Sequence, residues 1–214
     1  MPVRPISTDG LVAELADTIG GSSPGAWLRV ALDGAPPTRP GALADDLVDP
    51  VRLRGRPVLR VRAADFLRPA SLRFERGRTE PDAFYDDWLD AGGLAREVLG
   101  PLAADGDGRV LPSLWDAVAD RASRAGYQAV AAGGVVLVDG ALLLGRGLDF
   151  DLTVHLALSP AALERQLTEP DRWTLPAYRR YAQDVGPERV ADVVVRMDHG
   201  NRPAVVHNRA LRPT

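Results

Sequence analysis

Cysteine is absent from the sequence, which excludes disulfides, thiolate nucleophiles and cysteine-ligated zinc or iron–sulfur centres. Lysine is absent too, so all 26 basic residues are arginine. Every cationic contact is then a guanidinium fork, and no lysine serves as a point charge, Schiff base or general base. A GC-rich coding sequence accounts equally well for the surplus of Ala, Arg, Gly and Pro. Histidine is scarce, and His155, His199 and His207 lack the H-E-x-x-H spacing of a zinc site. No run approaches the roughly 18 consecutive apolar residues of a membrane span. The start MPVRPISTDG has neither the apolar core nor the cleavage pattern of a signal peptide, so a cytoplasmic protein with no membrane partner is expected. An excess of positive charge is also missing: the net charge is -3 and the pI about 5.6, which disfavours nucleic acid as a partner.

The chain has 214 residues, of which 45% are hydrophobic and 26% charged, the composition of a folded α/β domain. No internal repeat is visible. Ser7, Thr8 and Asp9 precede an apolar stripe at helical spacing (Leu11, Val12, Leu15, Ala16, Ile19) that Gly20 and Gly21 stop. The segment 21–25 reads as a linker. Strands are predicted at 27–34, 56–66, 134–140, 150–158 and 191–197, with a short edge strand at 203–208. Between them, helices are predicted from 42, from 92, from 160 with Ser159 as cap and Pro160 at the first position, and across 173–185. A short helical connection is expected at 141–148, short helices within 70–90, and a small hairpin or irregular excursion after 106. A turn is expected at 198–203 and a frayed end at 211–214. Several strands end in an acidic residue or glycine, so ligands are expected at the carboxyl ends of the sheet.

Some patterns carry no chemistry. Asp86, Asp87 and Asp90 lack the spacing of a calcium loop, the serines lack a G-x-S-x-G context, and Gly133-Gly134 precedes a strand instead of following one. His155 alternates with aliphatic residues and reads as structural unless its register turns it toward a site.

In order, RVALDGAPPTRPGALADDL, GRPVLRVRAADFLRP, RFERGRTEPDAFYDDWLD, VVLVDGALLL, DLTVHLALSP and YRRY with ERVADVVV resemble the uridine kinase and phosphoribulokinase-like branch of P-loop kinases, from about residue 27 to 206. The resemblance implies a three-layer α/β/α domain with a mostly parallel central sheet over residues 25–207. A small lid would lie near 168–187, with an N-terminal helix and linker at 1–24 and a tail at 208–214. It also implies a phosphate loop G-x-x-x-x-G-K-[ST], whose N–H groups cradle phosphates while the lysine neutralises them and the hydroxyl holds Mg²⁺.

The matching stretch departs from that pattern. Gly34 stands at the first glycine, but Arg39 stands at the second, Pro40 at the lysine and Gly41 at the hydroxyl; by the resemblance Gly34, Thr38, Arg39 and Gly41 would line the phosphate or nucleotide site. Prolines 36, 37 and 40 bring no N–H. Arg39 either replaces the lost charge or belongs to a stiffened loop that closes the site. By the same resemblance, Asp65 would orient or deprotonate an acceptor hydroxyl, against the alternative of a cap or surface turn. Arg68, Phe74, Arg76, Arg78, Tyr85 and Asp86 would hold a nucleoside-like acceptor. Arg172, Arg179 and Arg180 would clamp phosphoryl oxygens from the lid. Asp139 would hold a metal-bound water, or else cap the following turn, and Asp33 would support the loop. Three functions follow as expectations: ATP- and Mg²⁺-dependent phosphoryl transfer to a nucleoside-like or small hydroxylated acceptor, a non-catalytic nucleotide- or protein-binding pseudokinase, and an ATP-independent enzyme using the former acceptor pocket. A homodimer is compatible with such a domain, though no segment specifies an interface.

Overall fold

The structure is a computed structural model that describes residues 3–22, 26–199 and 202–209. The end at 211–214, and parts of the 21–25 linker and the 198–203 turn, lie outside the described residues. The chain runs through β1 (Arg4–Pro5), α1 (Thr8–Gly20), β2 (Leu28–Gly34), α2 (Pro40–Leu53), β3 (Val58–Arg62), α3 (Ala70–Arg73), α4 (Pro81–Asp86) and α5 (Ala91–Leu94). Two short pairings follow, β4 (Arg109–Val110) with β7 (Gln128–Ala129) and β5 (Trp115–Asp116) with β6 (Arg121–Ala122). Then come β8 (Val135–Gly140), β9 (Leu152–Ala157), α6 (Pro160–Gln166), α7 (Leu175–Asp184), α8 (Pro187–Val190), β10 (Val193–Arg196) and β11 (Ala204–Asn208).

Aliphatic strands buried on both faces pair in parallel. The sheet order is β3-β8-β2-β9-β10, parallel throughout, extended by β11 antiparallel to β10 and by β1 antiparallel to β11. Alternate side chains of each strand enter opposite layers. Val30, Leu32, Val135 and Leu137 pack under α1 and α2 with Leu15, Ile19, Leu43 and Leu47. Ala31, Val136 and Val138 face the other layer with Phe66, Leu94, Leu99, Tyr178 and Tyr181. The expected three-layer α/β/α domain is what folds, and α1 belongs to its core. Ser7 caps α1 by accepting from Gly10 N at 3.0 Å, and Ser159 caps α6 by accepting from Ala162 N at 3.3 Å. Among the described residues no helix is long and apolar enough to cross a membrane.

Four local expectations are corrected. The 141–148 connection is a series of turns, with Leu142, Gly145 and Gly147 at positive φ. The N–H groups of Leu143 and Leu144 are bonded to the Asp33 and Tyr181 side chains instead of to a helix. The second strand stops at Arg62, and Asp65 lies in a 3₁₀ turn, Ala63–Phe66. The helix after the proline-rich loop runs to Leu53. Finally, β11 is internal, because β1 pairs with its far side. The strand order reverses at β2, between β8 and β9, so the crevice outside the carboxyl end of β2 is where an open α/β sheet receives ligands.

Candidate functional site

At that crevice β2 ends in Gly34, where a Cβ would come 2.4 Å from Thr38 Oγ1 and 3.0 Å from Leu156 Cβ. Only glycine fits this close approach. A 3₁₀ turn, Pro36–Thr38, leads into α2 through Arg39, whose φ of 55° and ψ of 53° are left-handed. The backbone thus keeps a glycine-like conformation at the place of the second loop glycine, at a cost of about 1–2 kcal/mol for a residue with a Cβ. The turn consumes its own donors: Thr38 N binds Ala35 O at 2.9 Å, Arg39 N binds Pro36 O at 3.0 Å, and Ala42 N binds Arg39 O at 3.0 Å. The Thr38 hydroxyl donates to Ala35 O at 2.7 Å. With three prolines alongside, few N–H groups remain to face a phosphate.

A guanidinium stands beside the loop. Arg60, on β3, reaches across to Asp139 at the end of β8, with Nε 2.7 Å from Oδ1 and Nη2 3.3 Å from Oδ2, and also pairs with Asp45 of α2. A Cβ on Gly41 would lie 2.7 Å from Arg60 Nη2 and 3.1 Å from Asp139 Oδ2. The guanidinium therefore rests on Gly41, where the resemblance to P-loop kinases led a metal-binding hydroxyl to be expected. The Asp139 side chain is 9% exposed and that of Arg60 24%. The hydrogen bond to Asp139 raises the Arg60 pKa above its ordinary value, with burial opposing and Asp45 adding to the rise. Mg²⁺-ATP does not fit this donor set. The stretch carries no lysine, the N–H groups of Thr38, Arg39 and Ala42 are bonded within the turn, and the Asp139 carboxylate already holds a cation. Among the described residues no group of three or more His, Asp or Glu is placed to hold a metal ion.

Most of the residues predicted for the acceptor side are engaged by neighbouring side chains or backbone, and of that set Phe74 and Arg78 contact each other. Asp65 is held by Arg62 through bonds of 2.9 and 2.8 Å. Phe74 lies under Arg73 at 4.8 Å and Arg78 at 4.9 Å, with its ring against Trp88. Trp88 continues through Phe84 and Trp173 into an edge-to-face aromatic cluster that ends at Tyr178. Arg76 pairs with Asp87 at 2.6 Å. Arg68 places its backbone N–H on Trp88 O at 2.8 Å.

From the predicted lid, Arg180 reaches Asp82 at 3.1 Å, Asp86 at 2.8 Å and Asp184 at 3.2 Å, and stacks on Tyr85 at 4.3 Å. The bond to Asp86 is the leading cause of its raised pKa. Arg172 pairs with Glu169 at 3.1 Å, and Arg179 is exposed. Helix α7 is thus fastened onto α4 by the same arginine that was expected to reach a phosphoryl group.

Sequence reasoning passed over a buried polar network beside the loop. Asp33, on β2, is fully buried and accepts from Leu143 N at 2.9 Å, from His155 Nδ1 at 2.7 Å and from Tyr181 OH at 3.0 Å. Tyr181 OH in turn accepts from Leu144 N at 3.0 Å. Burial first, and then the Asp33 charge, pushes the Tyr181 pKa up, so the phenol stays a donor. The signal was present as two polar residues inside buried strands, but only the β2–β9 register, Asp33 opposite His155, joins them. This network lines a pocket of about 230 Å³ with Leu158, Leu163, Tyr178 and Glu188. A second pocket of about 140 Å³ lies between α1 and the loop, and Thr38 and Arg39 line it with Thr8, Asp46 and Met197. Asp65 and Phe74 line neither.

No family model and no curated protein matches the chain. Among solved structures, it is similar to a protein of Bacillus stearothermophilus described as a possible uridine kinase, at 20% identity and a TM-score of 0.68 over 86% of this chain and 96% of that one. It is also similar to a protein of Silicibacter sp. TM1040 named for a fructose transport system kinase, at 24% identity and a TM-score of 0.58 over 83% of this chain and 90% of that one. At these identities the likeness is one of fold: the chain has the P-loop kinase-like fold of these two proteins.

Proposed function

We propose that this chain is a pseudokinase, a protein that keeps the kinase architecture as a binding scaffold and does not transfer phosphate from Mg²⁺-ATP. The observation that carries the reading is the Arg60 guanidinium, bonded to Asp139 and Asp45 and resting on Gly41. Phosphoryl transfer in P-loop proteins needs a metal ion bridging the outer phosphates and N–H groups that cradle them. Here an internal cation stands beside the metal-facing carboxylate and the N–H groups are bonded within the turn. The pairing of Asp65 with Arg62 and of Arg180 with three carboxylates points the same way. Chemistry that needs no ATP is a second reading, favoured by the Asp33–His155 pair at a pocket wall.

The test is a transfer assay with radiolabelled Mg²⁺-ATP and uridine, cytidine or fructose as acceptors. No labelled product above the protein-free background is expected. Turnover that Asp65→Asn abolishes would overturn the reading and restore the kinase.

A further inference from the structure

We propose that the pocket between the carboxyl ends of β2 and β9 and the helices α7 and α8 binds a small uncharged molecule, with an apolar body and one hydroxyl that donates to Nε2 of His155. A carboxylate only accepts hydrogen bonds, so the 2.7 Å contact to Asp33 places the imidazole proton on Nδ1. In the neutral ring Nε2 is then an acceptor. His155 is 8% exposed and lies on the pocket wall, and among the described residues its Nε2 makes no hydrogen bond. Arg196 Nε is the polar side-chain atom sealed without a partner among the described residues, so the His155 Nε2 is open to the pocket, a space large enough for a ligand.

The network around it is otherwise complete. Asp33 has three donors, and the Tyr181 hydroxyl both donates to Asp33 and accepts from Leu144 N. No other member of it competes for Nε2. The rest of the wall is largely aliphatic and aromatic, from Leu142, Leu158, Leu163 and Tyr178. Its charged members, Glu188 and Arg189, are exposed, and Glu188 pairs with Arg196 at 2.8 Å. An anionic ligand inside would lie beside the buried Asp33 carboxylate, and a cationic one would find that carboxylate already engaged by three donors. An apolar cavity of about 150 Å³ accepts benzene, so about 230 Å³ suits one substituted ring or a short branched chain. The site lies in the layer of Tyr178 and Tyr181, across the sheet from α2, with Gly34 and Ala35 at the start of the loop on its wall.

The experiment is calorimetric titration with p-cresol, toluene and benzoate as probes. The wild type is compared with His155→Gln and with Ala182→Trp, an exposed position on α7 at the pocket wall where a large side chain closes the space without entering the core. Circular dichroism confirms that each variant is folded. Saturable p-cresol binding is expected, weakened on the order of tenfold for toluene, weaker for benzoate, and lost in Ala182→Trp even if His155→Gln fails to fold. The proposal is overturned if p-cresol does not saturate at millimolar concentration, if Ala182→Trp binds it unchanged, or if toluene binds as tightly.

Discussion

Replacing Arg60 with alanine strips Asp139 of its cation while leaving its carboxylate 9% exposed. Removing one partner of a buried ion pair costs about 3–5 kcal/mol, because the other charge stays desolvated. Arg60 is 24% exposed, so water relieves part of this cost, and the pair with Asp45, whose side chain is 64% exposed, adds no more than about 1 kcal/mol. A net loss of about 3 kcal/mol is expected, which for a domain of this size lowers Tm by roughly 6–12 °C. Urea unfolding of Arg60→Ala, Asp139→Asn and the double variant closes a thermodynamic cycle. Because Asp139→Asn removes the stranded charge, the double variant should be more stable than Arg60→Ala, with a coupling of at least about 1.5 kcal/mol. Mn²⁺ should raise the Tm of Arg60→Ala and leave that of the wild type unchanged, since only in the variant are Asp139 and Asp45 both released from a guanidinium. A coupling below about 0.5 kcal/mol, within ordinary additivity, would refute the claim that Arg60 serves as the internal cation.

Three further outcomes follow from the same geometry. Gly41→Ser, which restores a hydroxyl at the metal position, places a Cβ 2.7 Å from Arg60 Nη2; it should lower stability by about 1–3 kcal/mol in urea unfolding without conferring Mg²⁺ binding. Arg39→Gly relieves a left-handed backbone at φ 55° and should be neutral or stabilising by up to about 1 kcal/mol despite the gain in chain entropy, a result read from the same unfolding curves. Glu97 is held below its ordinary range by Arg96 and then Tyr127. Its folded pKa is the lower one, so its contribution is complete above about pH 4.3 and is lost as pH falls through the depressed value. Stability measured from about pH 6 to pH 2 should therefore fall less steeply in Glu97→Gln, and equal slopes would contradict the assignment.

The sheet was legible because its strands are runs of branched aliphatic residues closed by Asp or Gly, as at 134–140, and because caps such as Ser159-Pro160 mark helix starts locally. The 141–148 segment was misread because its leucines look helical, while two left-handed glycines and two N–H bonds to distant side chains decide its path. The β1 strand of two residues carries no pattern of its own and exists through pairing with β11. In the site, the loss of the phosphate-loop residues was plain in Pro40 and Gly41. The cation beside them was not: Arg60 lies in β3, 79 residues from Asp139 and beyond the helix that carries Gly41 and Asp45, and only the fold makes these four neighbours. Asp33 and His155 were hidden for the same reason, being separated by more than half of the chain and joined by register alone.

Calorimetric titration of the wild-type protein with ATP, in the presence and in the absence of Mg²⁺, bears most directly on whether an internal guanidinium has displaced the metal. The heats should be the same with and without Mg²⁺, with no magnesium-dependent saturation. Saturable ATP binding that appears only when Mg²⁺ is added would contradict it, because that requires a metal ion where Arg60 lies.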